Sequence, residues 1–127
     1  MNSIKLKPDI YELYRLNEFI HKQICEDNFQ IDLILEEIFT NIVNYSNTEF
    51  ITVKTEFNNE KREITIEFID NGIKFNPLEK EDPIIAETIE DAPIGGRGIF
   101  LVKSFSDSIN YNYINNENHL KISKIVE

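Results

Sequence analysis

Glu36 to Ser46 reads EEIFTNIVNYS. Ile38, Phe39, Ile42 and Val43 recur at helical spacing and give the stretch an apolar side. Glu37, Asn41 and Asn44 stand four and three residues apart, so they project from one strip of that helix, beside its buried stripe. A solubilising face more usually carries Lys, Arg and Glu. Taken alone, the strip fits the polar edge of a core helix; it equally fits a helix that lines a ligand site.

Working outward, Ser3 to Lys7 reads as a short strand, and Pro8-Asp9 opens a helix with Asp9 as N-cap and Glu12 near a capping box. Leu13, Leu16, Ile20 and Ile24 continue it until Asp27-Asn28 breaks it. A second helix runs from about Gln30 to Tyr45, with Ile31, Ile34, Leu35, Ile38 and Ile42 inward. FITVKTEF and REITIEFID alternate as strands about a turn at Asn58–Lys61, the second strand ending at Asp70. DNGIKFNP is rich in turn residues, and Leu78 to Ile94 reads as a mobile acidic loop with a helical turn around Ile84–Ile89. GGRG then precedes a short apolar helix, IFLVKSFSD, and the chain ends in a hairpin turning at Asn115-Asn116. Antiparallel hairpins with helices that must cover one face predict an α+β two-layer sandwich with a mixed, mostly antiparallel sheet.

A chain of 127 residues with 41% apolar content suits one domain, residues 1–127, with one core. The start lacks the apolar stretch of a signal peptide and no run is long enough to span a membrane, so a cytoplasmic protein is expected. Cys25 has no partner for an internal disulfide and reads as an inert apolar residue, and His21 and His119 show no zinc spacing. The net charge of −10 argues against sequence-independent nucleic-acid binding. An anionic ligand would have to be held by local donors, a helix N-terminus or a metal.

Three segments carry candidate chemistry. Gly95, Gly96 and Gly98, three of only four glycines, run into a helix, where backbone N–H groups and the positive helix end suit an anion. Asp70 at a strand end can accept from a ligand amino group, with Gly72 letting backbone approach a flat ring; an Asx turn explains the same residues. Glu37 can act as a base, and Asn41 offers an amide oxygen to a hard cation.

In order, E-x-x-x-N, D-x-G-x-x-F-x-P and G-G-x-G resemble the Bergerat ATP-binding fold shared by gyrase and sensor histidine kinases. FIDNGIKFNP, GGRGIFLVKSFSD and a tail holding Tyr111 and NENHLKISK are more narrowly similar to the anti-sigma-factor serine kinases of bacterial partner switching. That resemblance implies a protein serine kinase that sequesters a sigma factor or similar regulator and phosphorylates a serine on an anti-anti-sigma antagonist. It implies ATP and Mg²⁺ as ligands, with Glu37 as catalytic base, Asn41 as the metal ligand and Asp70 with Gly72 at the adenine. Asn44 and Phe75 would line the pocket, Phe75 as an anchor rather than a stacker. Gly95, Gly96, Arg97 and Gly98 would hinge the residue 78–94 lid over the phosphates. A homodimer is a further expectation, with neither nucleic acid nor membrane as a direct partner.

The chain departs from that family at Tyr45, where a His is frequent, which leaves Arg97, Lys103 or Lys80 to meet the phosphates. Two other readings follow: an ATP-gated binding module without transfer, and the catalytic half of a split sensor histidine kinase. The second lacks a phosphoacceptor helix.

Overall fold

The computed structural model describes residues 1–79 and 94–126, with the backbone alone over residues 94–97. Its elements are β1 (Asn2–Leu6), α1 (Leu13–Ile24), α2 (Phe29–Tyr45), β2 (Ile51–Asn58), β3 (Glu63–Asp70), α3 (Ile94–Phe105), β4 (Ser108–Ile114) and β5 (Glu117–Ile125). Short 3₁₀ turns occupy Ile10–Glu12 and Pro77–Glu79. The five strands form one sheet in the order β1-β2-β3-β5-β4, and every described pairing is antiparallel.

Strand periodicity places the core. Ile51, Val53 and Thr55 of β2, Ile64, Ile66 and Phe68 of β3, and Leu120 and Ile122 of β5 share one buried face. Leu16, Ile20 and Ile24 of α1, Ile31, Ile34, Leu35, Ile38, Phe39 and Ile42 of α2, and Ile99 and Val102 of α3 meet that face. Each such side chain taken fully out of water contributes about 1.5–3 kcal/mol before entropy is counted. The opposite sheet face carries Lys54, Glu56, Glu67, His119 and Lys121, which stay accessible as a solvated surface should. This is the expected two-layer α+β sandwich.

Local chemistry fixes the element ends. Asn28 caps α2 by accepting from the Ile31 N–H at 3.0 Å. Asp9 caps the 3₁₀ turn through the Tyr11 N–H at 3.0 Å, while Glu12 reaches back to the Lys7 N–H at 3.0 Å. The predicted capping box is thus displaced: its carboxylate serves the strand-to-turn corner. Asn115 and Asn116 both adopt positive φ, 54° and 63°, as a two-residue hairpin twisting with its strands requires.

The expected lid at residues 78–94, with its turn at 84–89, lies outside the described residues apart from its two ends. Those ends change the reading. Leu78 belongs to the Pro77–Glu79 turn, and Ile94 and the glycine run already belong to α3. Gly95 and Gly96 fall in the first turn of the helix and Gly98 just after it, rather than in a hinge ahead of it. A first turn has no intrahelical partners for its N–H groups in any case, so glycine disturbs little there.

Cys25 ends α1 in the left-handed region, at φ 59° and ψ 30°. Cys25→Gly removes the Cβ conflict of that conformation and is expected to stabilise the domain by about 0.5–1 kcal/mol, read as a higher urea midpoint at unchanged slope.

Candidate functional site

Three apolar rows turn polar at the same end of the core. In β3 the inward row Ile64, Ile66, Phe68 finishes in Asp70; in β5 the row Ile122, Leu120 finishes in Asn118. Register sets Asp70 directly opposite Asn118. In α2 the buried row finishes with Asn41 and Ile42, and the helix closes on Ser46. Asp70, Asn118, Asn41 and Ser46 are 2%, 3%, 4% and 0% exposed, so this polar group belongs to the interior rather than to the solvated surface.

Asp70 is held from three sides. The Ser46 hydroxyl donates to its Oδ1, as do the Gly72 N–H at 2.9 Å and Asn118 Nδ2 at 3.0 Å. The bond from Gly72 closes the Asx turn that the structural reading of DNG expects. Asn71 faces the other way, its Oδ1 accepting from Thr48 Oγ1 at 2.6 Å and from the Glu49 N–H at 3.1 Å. Gly72 lies so close to α2's end that a Cβ would come within 2.1 Å of the Ser46 carbonyl oxygen. The Ile73 N–H donates to that same carbonyl at 2.8 Å.

Asn118 extends the network. Its Nδ2 also donates to the Ile73 carbonyl at 2.7 Å, and its Oδ1 accepts from the Phe75 N–H at 2.9 Å and from the Tyr111 hydroxyl. Burial pushes the Tyr111 phenol above its ordinary value of 10.0, against the pull of a backbone contact at Phe75, and the neighbouring Asp70 charge raises it further. Tyr111 therefore stays a donor at neutral pH. Phe75 is half-buried, and its ring lies 5.6 Å from that of Tyr45 at a 39° tilt.

The second centre lies where α3 meets α2. A Cβ on Gly98 would fall 1.7 Å from Glu37 Oε2, so the backbone at the start of α3 rests on the Glu37 carboxylate. Asn41 follows one helical turn later. Asn44, the third member of the strip, is exposed, as is Tyr45. The α3 backbone carries Gly95 and Gly96 in the same first turn; the side chain of Arg97 and all of Lys80 lie outside the described residues, and Lys103 is exposed on α3.

The donor set fits the expected ligands. Asn41 and Glu37 supply oxygen atoms of the kind a hard cation takes. Among the described residues no group of three or more His, Cys, Asp and Glu could hold a metal ion. Cavities of about 400 and 600 Å³ beside α1 and at the start of α2 touch neither Asp70 nor Asn41.

Glu37, Asn41, Asp70 and Gly72, expected from the sequence at a ligand site, lie around this polar end and the α2–α3 contact; Ser46, Asn118 and the bond from Tyr111 were not among the expected site residues. Parity was the available signal for Asn118: it shares the inward face of Leu120 and Ile122.

The architecture and this polar end define the nucleotide-binding type of two-layer sandwich found in kinase-like ATPases. The chain belongs to the histidine kinase-like ATPase domain family, whose model matches residues 16–124, from within α1 to within β5. It is 27% identical over 97 residues to the serine/threonine-protein kinase BtrW of Bordetella bronchiseptica, covering 75% of this chain and 68% of that protein. In fold it is similar to the Acinetobacter baumannii histidine kinase AdeS, with a TM-score of 0.56 at 10% identity over 100% of this chain and 69% of that one. It is also similar to the catalytic domain of the histidine kinase ThkA, with a TM-score of 0.51 at 12% identity over 98% and 97% of the two chains. Among the described residues no helix is long and apolar enough to cross a membrane.

The two close approaches predict an order of effects. Gly72→Ala drives a methyl into backbone and is expected to cost more than Gly98→Ala, which meets the movable end of a side chain; overpacking of this kind costs about 1–3 kcal/mol. Chemical denaturation of both variants measures it.

Tyr111 adds a pH signature. Because its folded-state value is raised, the stability it contributes is complete below about pH 10 and is lost as pH rises through the folded value. The stability gap between wild type and Tyr111→Phe is expected to be flat below that point and to close above it, read by thermal unfolding across pH.

Proposed function

We propose that this domain is an ATP-dependent protein serine kinase that sequesters a regulator, a sigma factor or similar protein, and phosphorylates a serine on an anti-anti-sigma-type antagonist. The observation that carries the reading is the contact of Glu37 with Gly98. It sets the backbone early in α3, close after its N–H-rich first turn, against a carboxylate midway along α2, with the buried Asn41 one helical turn further on. These are the parts phosphoryl transfer needs: a proton acceptor, a cation ligand and donors for phosphate oxygens.

In this reading Asp70 accepts from the adenine amino group and Gly72 lets the backbone lie beside the ring. Asn41 holds Mg²⁺, which neutralises charge on the phosphate oxygens when bound. Glu37 takes the proton from the antagonist's serine hydroxyl as its oxygen bonds to the terminal phosphorus and the bond to the ADP oxygen breaks. The new phosphate then disrupts the partner interface by charge and desolvation. The kinship with BtrW, a named serine/threonine-protein kinase, supports this choice over a histidine kinase fragment. A homodimer belongs to the same proposal.

Tyr45 favours a second reading. It stands where the resembled kinases frequently carry His, and it packs beside Phe75 as an aromatic without a cation for phosphate. An ATP-gated binding module without transfer would tolerate that change.

Glu37→Gln separates the two. It is expected to keep fold and ATP binding while losing phosphorylation of a partner serine by about 10²–10⁴, the range for a missing general base. Asn41→Ala is expected to lose both Mg²⁺-dependent binding and transfer. A radiolabelled-phosphate transfer assay with the antagonist encoded nearby, run beside calorimetry, reads both. Wild-type protein that binds ATP and phosphorylates no such antagonist makes the binding module the correct reading.

A further inference from the structure

We propose that Asn118 is a positioning residue that sets the base preference of the site, by holding Asp70 so that only an acceptor remains for the ligand. The inference rests on the adenine reading of Asp70 given above.

Asn118 uses its whole hydrogen-bonding capacity. Two donors go to Asp70 Oδ1 at 3.0 Å and the Ile73 carbonyl at 2.7 Å; two lone pairs receive the Phe75 N–H at 2.9 Å and the Tyr111 hydroxyl. This pattern fixes which way the amide points. A flipped amide would set its oxygen against two acceptors and its nitrogen against the Phe75 N–H. Toward Asp70, then, Asn118 can only donate.

That donor acts together with two others. Ser46, Gly72 and Asn118 all bond to Oδ1. Among the described residues Oδ2 receives none of the bonds, so it is the acceptor left to a ligand. With Oδ1 bonded from three directions, the carboxylate cannot turn without breaking them. An edge that only accepts favours a base presenting an amino group there, as adenine does. It opposes a base presenting a carbonyl oxygen, as guanine does, because two acceptors then face each other unpaired.

Anchoring of residues 73–75 and orientation of Asp70 run through opposite ends of the amide, so one substitution separates them. Asn118→Asp keeps an acceptor for Phe75 and Tyr111 and replaces the donor facing Asp70 with a second carboxylate oxygen. Calorimetry with Mg²⁺-ATP and Mg²⁺-GTP, and amide hydrogen exchange of Gly72 and Phe75 without nucleotide, test it. In Asn118→Asp the Phe75 amide is expected to keep its protection. The Gly72 amide should exchange about tenfold faster or more, and the preference for ATP over GTP should fall by a similar factor. Unchanged preference and unchanged Gly72 exchange in the folded variant overturn the inference. Where Asn118→Asp does not fold, the smaller uncharged Asn118→Ser replaces it: loss of the ATP preference is expected, and its retention overturns the proposal. If wild type binds neither nucleotide, or both equally, the adenine reading fails separately. The Gly72 exchange then decides the positioning claim by the same criterion.

Discussion

A carboxylate on a residue that is only 2% exposed, as Asp70 is, is a liability in a core unless donors meet it. Asp70 meets three, and each comes from a different part of the chain. Ser46 is the C-cap of α2, so the helix must end where its hydroxyl reaches the strand. The Gly72 N–H requires the chain to turn at once after β3. Asn118 is inward-facing only in the observed β3–β5 register; a slip of one residue would turn it to solvent. One buried oxygen thereby ties helix length, turn geometry and strand register together.

The same constraint explains why the site sits at an end of the sheet. Apolar rows bury themselves without help, whereas the buried Asp70 needs donors: two come from side chains, and the third is a backbone N–H that is free of the strand ladder only because β3 has stopped. Gly72 pressed on Ser46 and Gly98 pressed on Glu37 apply one device at the two sides of α2: a missing side chain lets backbone approach a polar group more closely than any other residue permits. At Gly72 the gain is a tight turn under Asp70. At Gly98 it is the placement of the start of α3 beside a carboxylate.

Much of this was legible in order and spacing. Period-3.6 and period-2 rows placed α2, β2 and β3 to within a residue or so, because single-face burial imposes those periods; α1 begins later than expected, at Leu13, since Asp9 caps a 3₁₀ turn over Ile10–Glu12 instead. Asp70 and Asn41 were legible as polar residues ending such rows. Asn118 was signalled only by its parity with Leu120 and Ile122, since three of its partners, Asp70, Ile73 and Phe75, lie far away in sequence. Ser46 was hidden for a related reason: a serine after a helix is an ordinary cap, and only the crossing of α2's end over β3 turns its hydroxyl onto Asp70. The hinge expected at the glycine run came from the family resemblance. Nothing local in the sequence records that α2 lies close enough to demand a helix without a side chain at position 98.

The charge of −10 is then less a contradiction than a division of labour. A domain that gathered cations to hold phosphate would gather other anions as well. In the proposed reading the groups that meet an anionic ligand are local and short-ranged: N–H groups at the first turn of a helix, an amide oxygen for a metal, and a fixed carboxylate edge for a base. Such groups act over a few ångströms, within the screening length of about 8 Å at physiological salt, while the field of the whole surface is damped beyond it. An acidic exterior therefore weakens nonspecific polyanion binding far more than it weakens a neutral-donor site inside the fold. On the proposed reading, the selectivity of the buried polar end would lie in fixed hydrogen-bond geometry rather than in net charge.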